Sequence, residues 1–251
     1  MSPSLIDRLL VPVKPGPIAT FKPPPQELAP GVWRLERRLR MPGGLVLPIA
    51  TAIFRLPSGK LFLHSPGTLD DAALASLRPL GEPSVILAPN AFHHLFVAEY
   101  RKAFPEAAIF YAPGLPARVP SLPRGEEVSS VGPAAWEGVV EPLVFGPIGT
   151  FSEVVILHRP SGTLVFTDLA FNMRRHPNGF DRIGWRLFGV PPRFGTSRTA
   201  RFTLLRNARA ARPYLARIAE KDFRRILVAH GDPVENDAPS EFHRAFRKYL
   251  D

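Results

Sequence analysis

Residues 84–112 constrain the fold of this chain more than any other stretch. They consist of an apolar strand (85–87), a polar corner at Pro89 and Asn90, the adjacent pair His93 and His94, an amphipathic helix and a second apolar strand. Alternation of strand and helix is typical of a sheet with helical cover. Side chains just beyond the carboxyl end of a strand line the crevice where α/β folds bind ligands. The histidine pair is therefore a candidate metal site, with helix capping or core packing as the alternative.

Two later segments also place a metal-binding side chain after an apolar strand. TLVFTD ends at Asp168, and RILVAHGD contains His230. Because strand ends at one edge of a sheet converge, we expect these two side chains to lie near the histidine pair. Three imidazoles and one carboxylate suit zinc or iron. As alternatives, Asp168 can bond the amides of the following turn and His230 can bond Asp232.

Composition limits the ligand types and the class of protein. The chain has 251 residues, of which 45% are hydrophobic, and no cysteine. It can therefore bury one large core, but it can form neither disulfides nor cysteine-ligated metal sites. No apolar run approaches the roughly 20 residues that span a bilayer. The first residues lack the pattern of a secretory signal, so we expect a cytoplasmic protein with no membrane partner.

The charge balance indicates an anionic partner. Lys and Arg number 32 against 22 Asp and Glu, a net charge of +10, and much of the excess is arginine between residues 174 and 225. A small anionic substrate fits this charge. Nucleic acid is disfavoured because no nucleic-acid-binding motif accompanies it. A solvated, arginine-rich helix face is the alternative explanation.

The chain divides into a short arm and one larger unit. Residues 1–30 hold eight prolines, which neither donate to a strand ladder nor continue a helix, so we predict an extended arm followed by a single domain of residues 31–251. Two Pro-Ser-Gly turns, at 57–59 and 160–162, join apolar strands and suggest internal duplication. We expect residues 113–142 to form a surface connection carrying Trp136. Residues 171–195 are predicted to be an irregular segment with exposed Trp185 and Phe188, either a lid or a substrate loop. Residues 196–219 are predicted to be a helix interrupted near Pro213.

Three motifs resemble the metallo-β-lactamase superfamily. They are PNAFHHLF at 89–96, HRPSGTLVFTDLAFN at 158–172 and LVAHGDP at 227–233. More narrowly, they are similar to DUF4336, an uncharacterised bacterial branch of that superfamily. The resemblance covers roughly residues 31–238 and implies an α/β fold, a four-layered αββα sandwich with an internal pseudo-two-fold axis.

The resemblance also implies that half of the usual dinuclear site is missing. The usual first motif, His-x-His-x-Asp-His, would end at His94, which puts its first two histidines on Pro89 and Ala91. The mid-chain histidine would fall near Gly149, where there is none. These three histidines belong to the same metal position in dinuclear relatives, so one metal position loses its histidines.

The other metal position keeps its ligands. The resemblance implies one divalent metal, zinc in preference to iron, held by His93, His94, Asp168 and His230, with Asp232 orienting His230 from outside the ligand set. It implies a mononuclear metal-dependent hydrolase acting on an ester, lactone or phosphoester through a metal-activated water. Four protein ligands can instead saturate zinc. The alternative is therefore a non-catalytic protein with a structural or vestigial site that binds an anionic partner.

Overall fold

A computed structural model describes residues 16–18, 21, 23–129, 132–133, 136 and 138–251. The first half of the predicted arm, residues 1–15, lies outside these residues. Its second half contributes β1 (Gly16–Pro17) and β2 (Gln26–Ala29), and both pair antiparallel with β3 (Val32–Arg40). The arm and the domain boundary at residue 31 otherwise remain predictions.

The first sheet has eight strands. From β3 it continues through β4 (Val46–Arg55), β5 (Leu61–His64), β6 (Pro83–Ala88), β7 (Ala108–Tyr111) and β8 (Glu126–Glu127). The predicted Pro-Ser-Gly hairpin joins the antiparallel strands β4 and β5, and β5 to β8 then run parallel. The carboxyl ends of β5 and β6 therefore lie at the same edge of the sheet.

The second sheet has four strands, in the order β12 (Arg225–Val228), β11 (Thr163–Phe166), β10 (Phe151–His158) and β9 (Val140–Ile148). The second Pro-Ser-Gly hairpin joins β10 and β11, which are antiparallel. Strands β11 and β12 are parallel, so Asp168 and His230 follow neighbouring strand ends. The duplicated hairpin predicted from the sequence is thus present in each sheet.

Seven helices lie in the described part of the chain: α1 (Asp71–Leu77), α2 (Val97–Ala103), α3 (Leu115–Arg118), α4 (Gly179–Leu187), α5 (Arg198–Phe202), α6 (Ala208–Ala219) and α7 (Ala238–Leu250). Asp70 caps α1 by accepting a hydrogen bond from the amide of Ala73. No helix among the described residues is both long and apolar enough to cross a membrane.

Alternating side chains on the strands produce four layers. In β6, Leu87 belongs to the core between the sheets, whereas Ile86 packs beneath α1 and α2. In β11, Val165 faces the same inter-sheet core, whereas Phe166 packs against α7. Because successive side chains of a strand point to opposite faces, each sheet is apolar on both sides. The order helix, sheet, sheet, helix confirms the predicted αββα sandwich.

Three local predictions were wrong. Trp136 is buried between Phe62 and Phe110, with ring centroids 4.8 and 4.7 Å away, rather than carried on an exposed connection. Residues 171–195 contain α4, and Trp185 faces inward. The helical stretch from 196 to 219 breaks at 203–207, before α6, whereas Pro213 lies inside α6. Asn207 caps α6 through its side chain, so α6 begins as a separate helix after the break.

His158 makes the free energy of unfolding depend on pH. Its ring stacks on Phe54 of the facing sheet at 5.2 Å, and burial lowers its pKa to about 4. The unfolded chain binds a proton near pH 6.5, so stability is full above that pH and falls as the pH drops toward 4. Between pH 7 and 5 we expect the wild type to lose about 1–2 kcal/mol more than His158→Phe. Urea denaturation at both pH values measures this, and equal losses would contradict it.

Candidate metal centre

Three predicted ligands meet at the strand ends. Nε2 of His93 lies 3.0 Å from Nε2 of His230 and 3.1 Å from Oδ2 of Asp168. Nε2 of His230 lies 3.5 Å from Oδ1 of the same carboxylate. One ligand atom from each residue lies within 4.8 Å of the others. The loops after β6, β11 and β12 supply one residue each, so residues separated by as many as 137 positions share one site.

The backbone around His93 is fixed by Asn90. Its side-chain oxygen accepts hydrogen bonds from the amides of Phe92 and His93, at 2.8 and 3.1 Å. This Asx turn bends the chain immediately after β6. The amide group of Asn90 donates to Oδ2 of Asp168 at 2.8 Å. A single side chain therefore positions one histidine and the carboxylate opposite it.

Ser65 contacts the edge of the His93 ring that points away from the cluster. Its Oγ lies 2.6 Å from Nδ1 of His93, and both residues are buried. Ser65 has a φ of 60°, a left-handed conformation that costs a non-glycine residue free energy. The hydroxyl of Thr51 holds the carbonyl of Ser65 at 3.1 Å. With Nδ1 engaged by Ser65, Nε2 is the nitrogen of His93 that faces the cluster.

His230 is oriented by the backbone and by an aromatic ring. Its Nδ1 donates to the carbonyl of Pro48 at 2.8 Å, and Phe171 stacks on it at 4.7 Å. A neutral imidazole that donates from Nδ1 carries its lone pair on Nε2. Gly231 follows with a φ of 112°, and a Cβ there would overlap the backbone of Asn172. This close approach explains why glycine follows the histidine.

Glu153 organises the loop that carries Asp168. Its fully buried carboxylate accepts hydrogen bonds from the amides of Thr167, Asp168 and Leu169, at 2.8, 2.9 and 2.9 Å. Asn90 adds a fourth donor at 3.2 Å. Burial raises the pKa of Glu153, and the charge of Asp168 acts in the same direction. Every one of these donors is an N–H group, so both carboxylate oxygens act as acceptors.

Asp168 is a strongly acidic carboxyl. Burial alone would raise its pKa, but the interactions of the carboxylate with His93 and His230 outweigh burial and lower the pKa well below the ordinary value. It therefore carries a negative charge at neutral pH. An anionic oxygen and two imidazole nitrogens then face the same point.

The donor set fits a divalent metal. Zinc–nitrogen and zinc–oxygen bonds of about 2.0–2.2 Å place tetrahedral ligand atoms about 3.3 Å apart. The three separations here, 3.0, 3.1 and 3.5 Å, are close to that value. The Nδ1 atoms of both histidines already have partners outside the cluster, which is the arrangement that orients metal-binding imidazoles. The three residues could thus hold one metal ion.

The structure does not bring His94 into this group of ligand atoms. Its ring is half-buried, and its buried Nδ1 makes no hydrogen bond of normal geometry. Burial lowers the pKa of His94, and the positive charges of His93 and Arg118 act in the same direction. The neutral ring keeps a nitrogen lone pair, which a metal ligand needs. The role of His94 as fourth ligand remains a prediction.

Asp232 does not contact the ring of His230. Its carboxylate instead forms an ion pair with Arg175, while the carbonyl of Pro48 occupies the place at Nδ1 that the sequence analysis assigned to Asp232. The path of the chain explains this. The carbonyl of Asn172 accepts from the amide of Asp232 at 2.9 Å, and the side-chain amide of Asn172 donates to the carbonyl of Asp232 at 2.7 Å. These two bonds direct the side chain of Asp232 away from the ring of His230.

Sequence reasoning gave Ser65 and Asn90 no supporting role, and it considered Glu153 only as a side chain lining the crevice. Ser65, Asn90 and Glu153 lie within or directly after strands whose ends meet at the site. Ser65 and Asn90 directly follow β5 and β6. Their position at strand ends is a sequence signal by which they could have been recognised as candidate site residues. Glu153 is the third residue of β10, where a lone buried carboxylate among apolar side chains indicates a hydrogen-bonded structural role.

The position of the missing mid-chain histidine is occupied by a turn glycine. Gly149 lies in the β9–β10 turn with a φ of 64°, a left-handed conformation that favours glycine. The guanidinium group of the exposed Arg206 lies against Gly149, so a side chain at position 149 would require that flexible group to move.

Comparisons with known proteins agree with this geometry. The family model described as "Domain of unknown function (DUF4336)" matches residues 30–182. No curated protein matches the sequence. Among solved structures, the chain resembles metallo-β-lactamases at identities that establish the fold alone.

Three of these structures illustrate the likeness. The metallo-β-lactamase FIM-1 from Pseudomonas aeruginosa, in its mono-zinc form, has a TM-score of 0.62 at 12% identity, over 92% of this chain and 98% of that one. An enzyme from Erythrobacter litoralis with β-mercaptoethanol in its active site has a TM-score of 0.63 at 15% identity, over 89% and 96%. An enzyme from Pontibacter korlensis has a TM-score of 0.61 at 12% identity, over 89% and 98%.

We expect Glu153→Gln to destabilise the protein by about 1–3 kcal/mol, because the new amide NH2 group would face backbone N–H donors and leave them unsatisfied. Urea denaturation measures the change in the free energy of unfolding. Glu235→Gln, at an exposed position, is the matched control and should change it by less than about 0.5 kcal/mol. Equal effects of the two substitutions would show that Glu153 does not organise the loop.

Proposed function

Because this chain belongs to the DUF4336 family and has the metallo-β-lactamase fold, we propose that it is a metal-dependent hydrolase with a single metal site. The observation that carries the proposal is the convergence of His93, Asp168 and His230. The mono-zinc form of the Pseudomonas aeruginosa relative lends support, since a lone metal is compatible with this fold. Zinc is the favoured metal, and iron is the alternative.

The chain's own residues would hold the metal and shape its surroundings. His93 and His230 would bind through Nε2 and Asp168 through its carboxylate, with His94 as the proposed fourth ligand. When bound, the ion would supply the Lewis acid for hydrolysis of an ester, lactone or phosphoester. Asn90 and Glu153 would hold the carboxylate in place, and the Oγ of Ser65 would fix the ring of His93.

The surroundings of the cluster favour an anionic substrate. Arg118 lies over the ring of Phe151 at 4.9 Å, and the ring of Phe151 stacks on Phe92 at 6.4 Å. The charge of Arg118 adds to burial in lowering the pKa of His94, which places this guanidinium group near the proposed site. It would attract a carboxylate or phosphate group.

A non-catalytic role is the second candidate. The histidines of a second metal position are missing, and four protein ligands would saturate a tetrahedral zinc if His94 joins the other three. The site would then be structural, or vestigial if it holds no metal, and the net charge of +10 would serve an anionic partner. If the site is structural, the two candidates predict the same metal content but different activity.

Elemental analysis of protein purified without chelator tests the site. We expect about one equivalent of zinc or iron in the wild type, and at least a tenfold weaker affinity in His230→Ala and Asp168→Asn, since each loses a ligand. His243→Ala, at an exposed position outside the cluster, should retain the wild-type metal content. A wild type that neither contains metal nor takes it up on titration would refute the hydrolase and leave only the non-catalytic candidate with a vestigial site.

A substrate panel then separates the two candidates. The metal-loaded wild type should hydrolyse an ester, lactone or phosphoester, and His230→Ala should lower kcat/KM by about 100-fold or more. Full metal content without turnover of any panel member would favour the structural role. Retention of one equivalent of metal in His94→Ala would remove His94 from the ligand set.

A further inference from the structure

Large exposed hydrophobic side chains are concentrated on one surface of the molecule. Among the described residues, the large hydrophobics that are strongly exposed are Phe180, Ile183, Leu187, Phe188 and Phe202, each between 59% and 70% accessible. All five belong to α4, its C-cap or α5. Single exposed hydrophobics are common, but a group of five within 23 positions marks an interaction surface.

The exposed stripe is opposite the face by which α4 is anchored. The inward side of α4 is bound to the backbone of Val46. The amide of Val46 donates to Oδ1 of Asp181 at 2.7 Å, and its carbonyl accepts from Nε1 of Trp185 at 2.8 Å. Positions 180, 183 and 187 are spaced three and four apart and share the other side of the helix. The helix is thus fixed to the fold, while no other part of the described chain covers its apolar stripe.

Helix α5 extends the same surface. Nη1 of Arg198 donates to the carbonyl of Leu187 at 3.0 Å, which joins the end of α4 to the start of α5. Phe202 follows Arg198 by four residues, so both lie on the same side of α5. The apolar side chains of the two helices therefore form one patch, which we call the α4–α5 surface: Phe180, Ile183, Leu187, Phe188 and Phe202.

The charges around this surface are of one sign. Residues 171–202 contain seven arginines, all exposed, and a single acidic residue. That residue, Asp181, is 1% exposed and bonds inward to Val46. A second copy of the chain would bring arginines against arginines at a two-fold interface, whereas an anionic surface complements them.

We propose that the α4–α5 surface docks on an anionic lipid bilayer. Phenylalanine and leucine would enter the headgroup boundary, and the flanking arginines Arg182 and Arg186 would contact lipid phosphates, as in interfacial amphipathic helices. Nine residues of α-helix are about 13 Å long, so α4 would lie along the bilayer surface. The expectation of no membrane partner rested on the lack of a spanning segment, which interfacial docking does not require.

This inference goes beyond the proposed hydrolase and does not depend on metal binding. It nevertheless places the candidate site close to the bilayer. Trp185, on the inward side of α4, packs in one cluster with Phe171, whose ring stacks on His230. A small apolar cluster that contains both aromatic side chains therefore connects the inward side of α4 to a proposed metal ligand.

Vesicle flotation with the full chain tests the proposal. We expect binding to phosphatidylcholine vesicles containing about one third phosphatidylserine, weakening with salt, and about tenfold or greater loss on vesicles of phosphatidylcholine alone. Phe180→Ser with Leu187→Ser should weaken binding about tenfold or more through lost apolar burial. Arg182→Gln with Arg186→Gln should do so through lost charge.

A matched variant distinguishes vesicle binding through the α4–α5 surface from attraction by the overall positive charge. Arg78→Gln with Arg124→Gln removes two exposed charges elsewhere and should change binding by less than about twofold. Equal weakening by this control would overturn the proposal, as would absence of wild-type binding at low salt. Binding that needs the arginines but not Phe180 and Leu187 would also overturn it. Suppose that the wild type self-associates without binding vesicles, and that Phe180→Ser with Leu187→Ser abolishes the self-association. The surface would then be assigned to a second copy of the chain.

Discussion

Polar contacts between the two sheets hold the candidate site together. The core between the sheets is apolar, but at the site the amide of Val154 in β10 donates to the carbonyl of Pro89 at 2.8 Å. Nε2 of His64 donates to the carbonyl of Val154 at 3.0 Å, and the amide of Ala50 donates to the carbonyl of Ala229 at 2.8 Å. Apolar packing tolerates sliding, whereas directional hydrogen bonds fix register. The ligands of two sheets can therefore meet within about 3 Å.

Strand ends and hairpin turns made much of the fold predictable. Each Pro-Ser-Gly turn lies between apolar runs of strand length, and His93, Asp168 and His230 each follow such a run. That local pattern depends on backbone sterics and side-chain alternation, which the sequence displays directly. The αββα order and the convergence of three ligands could be inferred from it together with the resemblance. The start of α1 could also be predicted, because Asp70 has the side chain of a cap.

Features that depend on distant contacts could not be predicted. Trp185 lies in a stretch rich in Arg, Gly and Pro, and its burial follows from a hydrogen bond to Val46, 139 residues away. Trp136 is buried for the same kind of reason, through Phe62 and Phe110. The partner of His230 is a backbone carbonyl, and any residue type can supply one. The ligands themselves were visible in the sequence, whereas the groups that orient them depend on tertiary geometry.

The contact between Gly149 and Arg206 has an evolutionary consequence. A histidine at position 149 would have to adopt the left-handed backbone of that turn, and the exposed Arg206 side chain would have to move aside. Positions 89 and 91, which hold proline and alanine, would also have to become histidines to complete a second set of ligands. The proposed single metal position is therefore several substitutions away from a dinuclear one, and one of them falls on a backbone conformation that favours glycine.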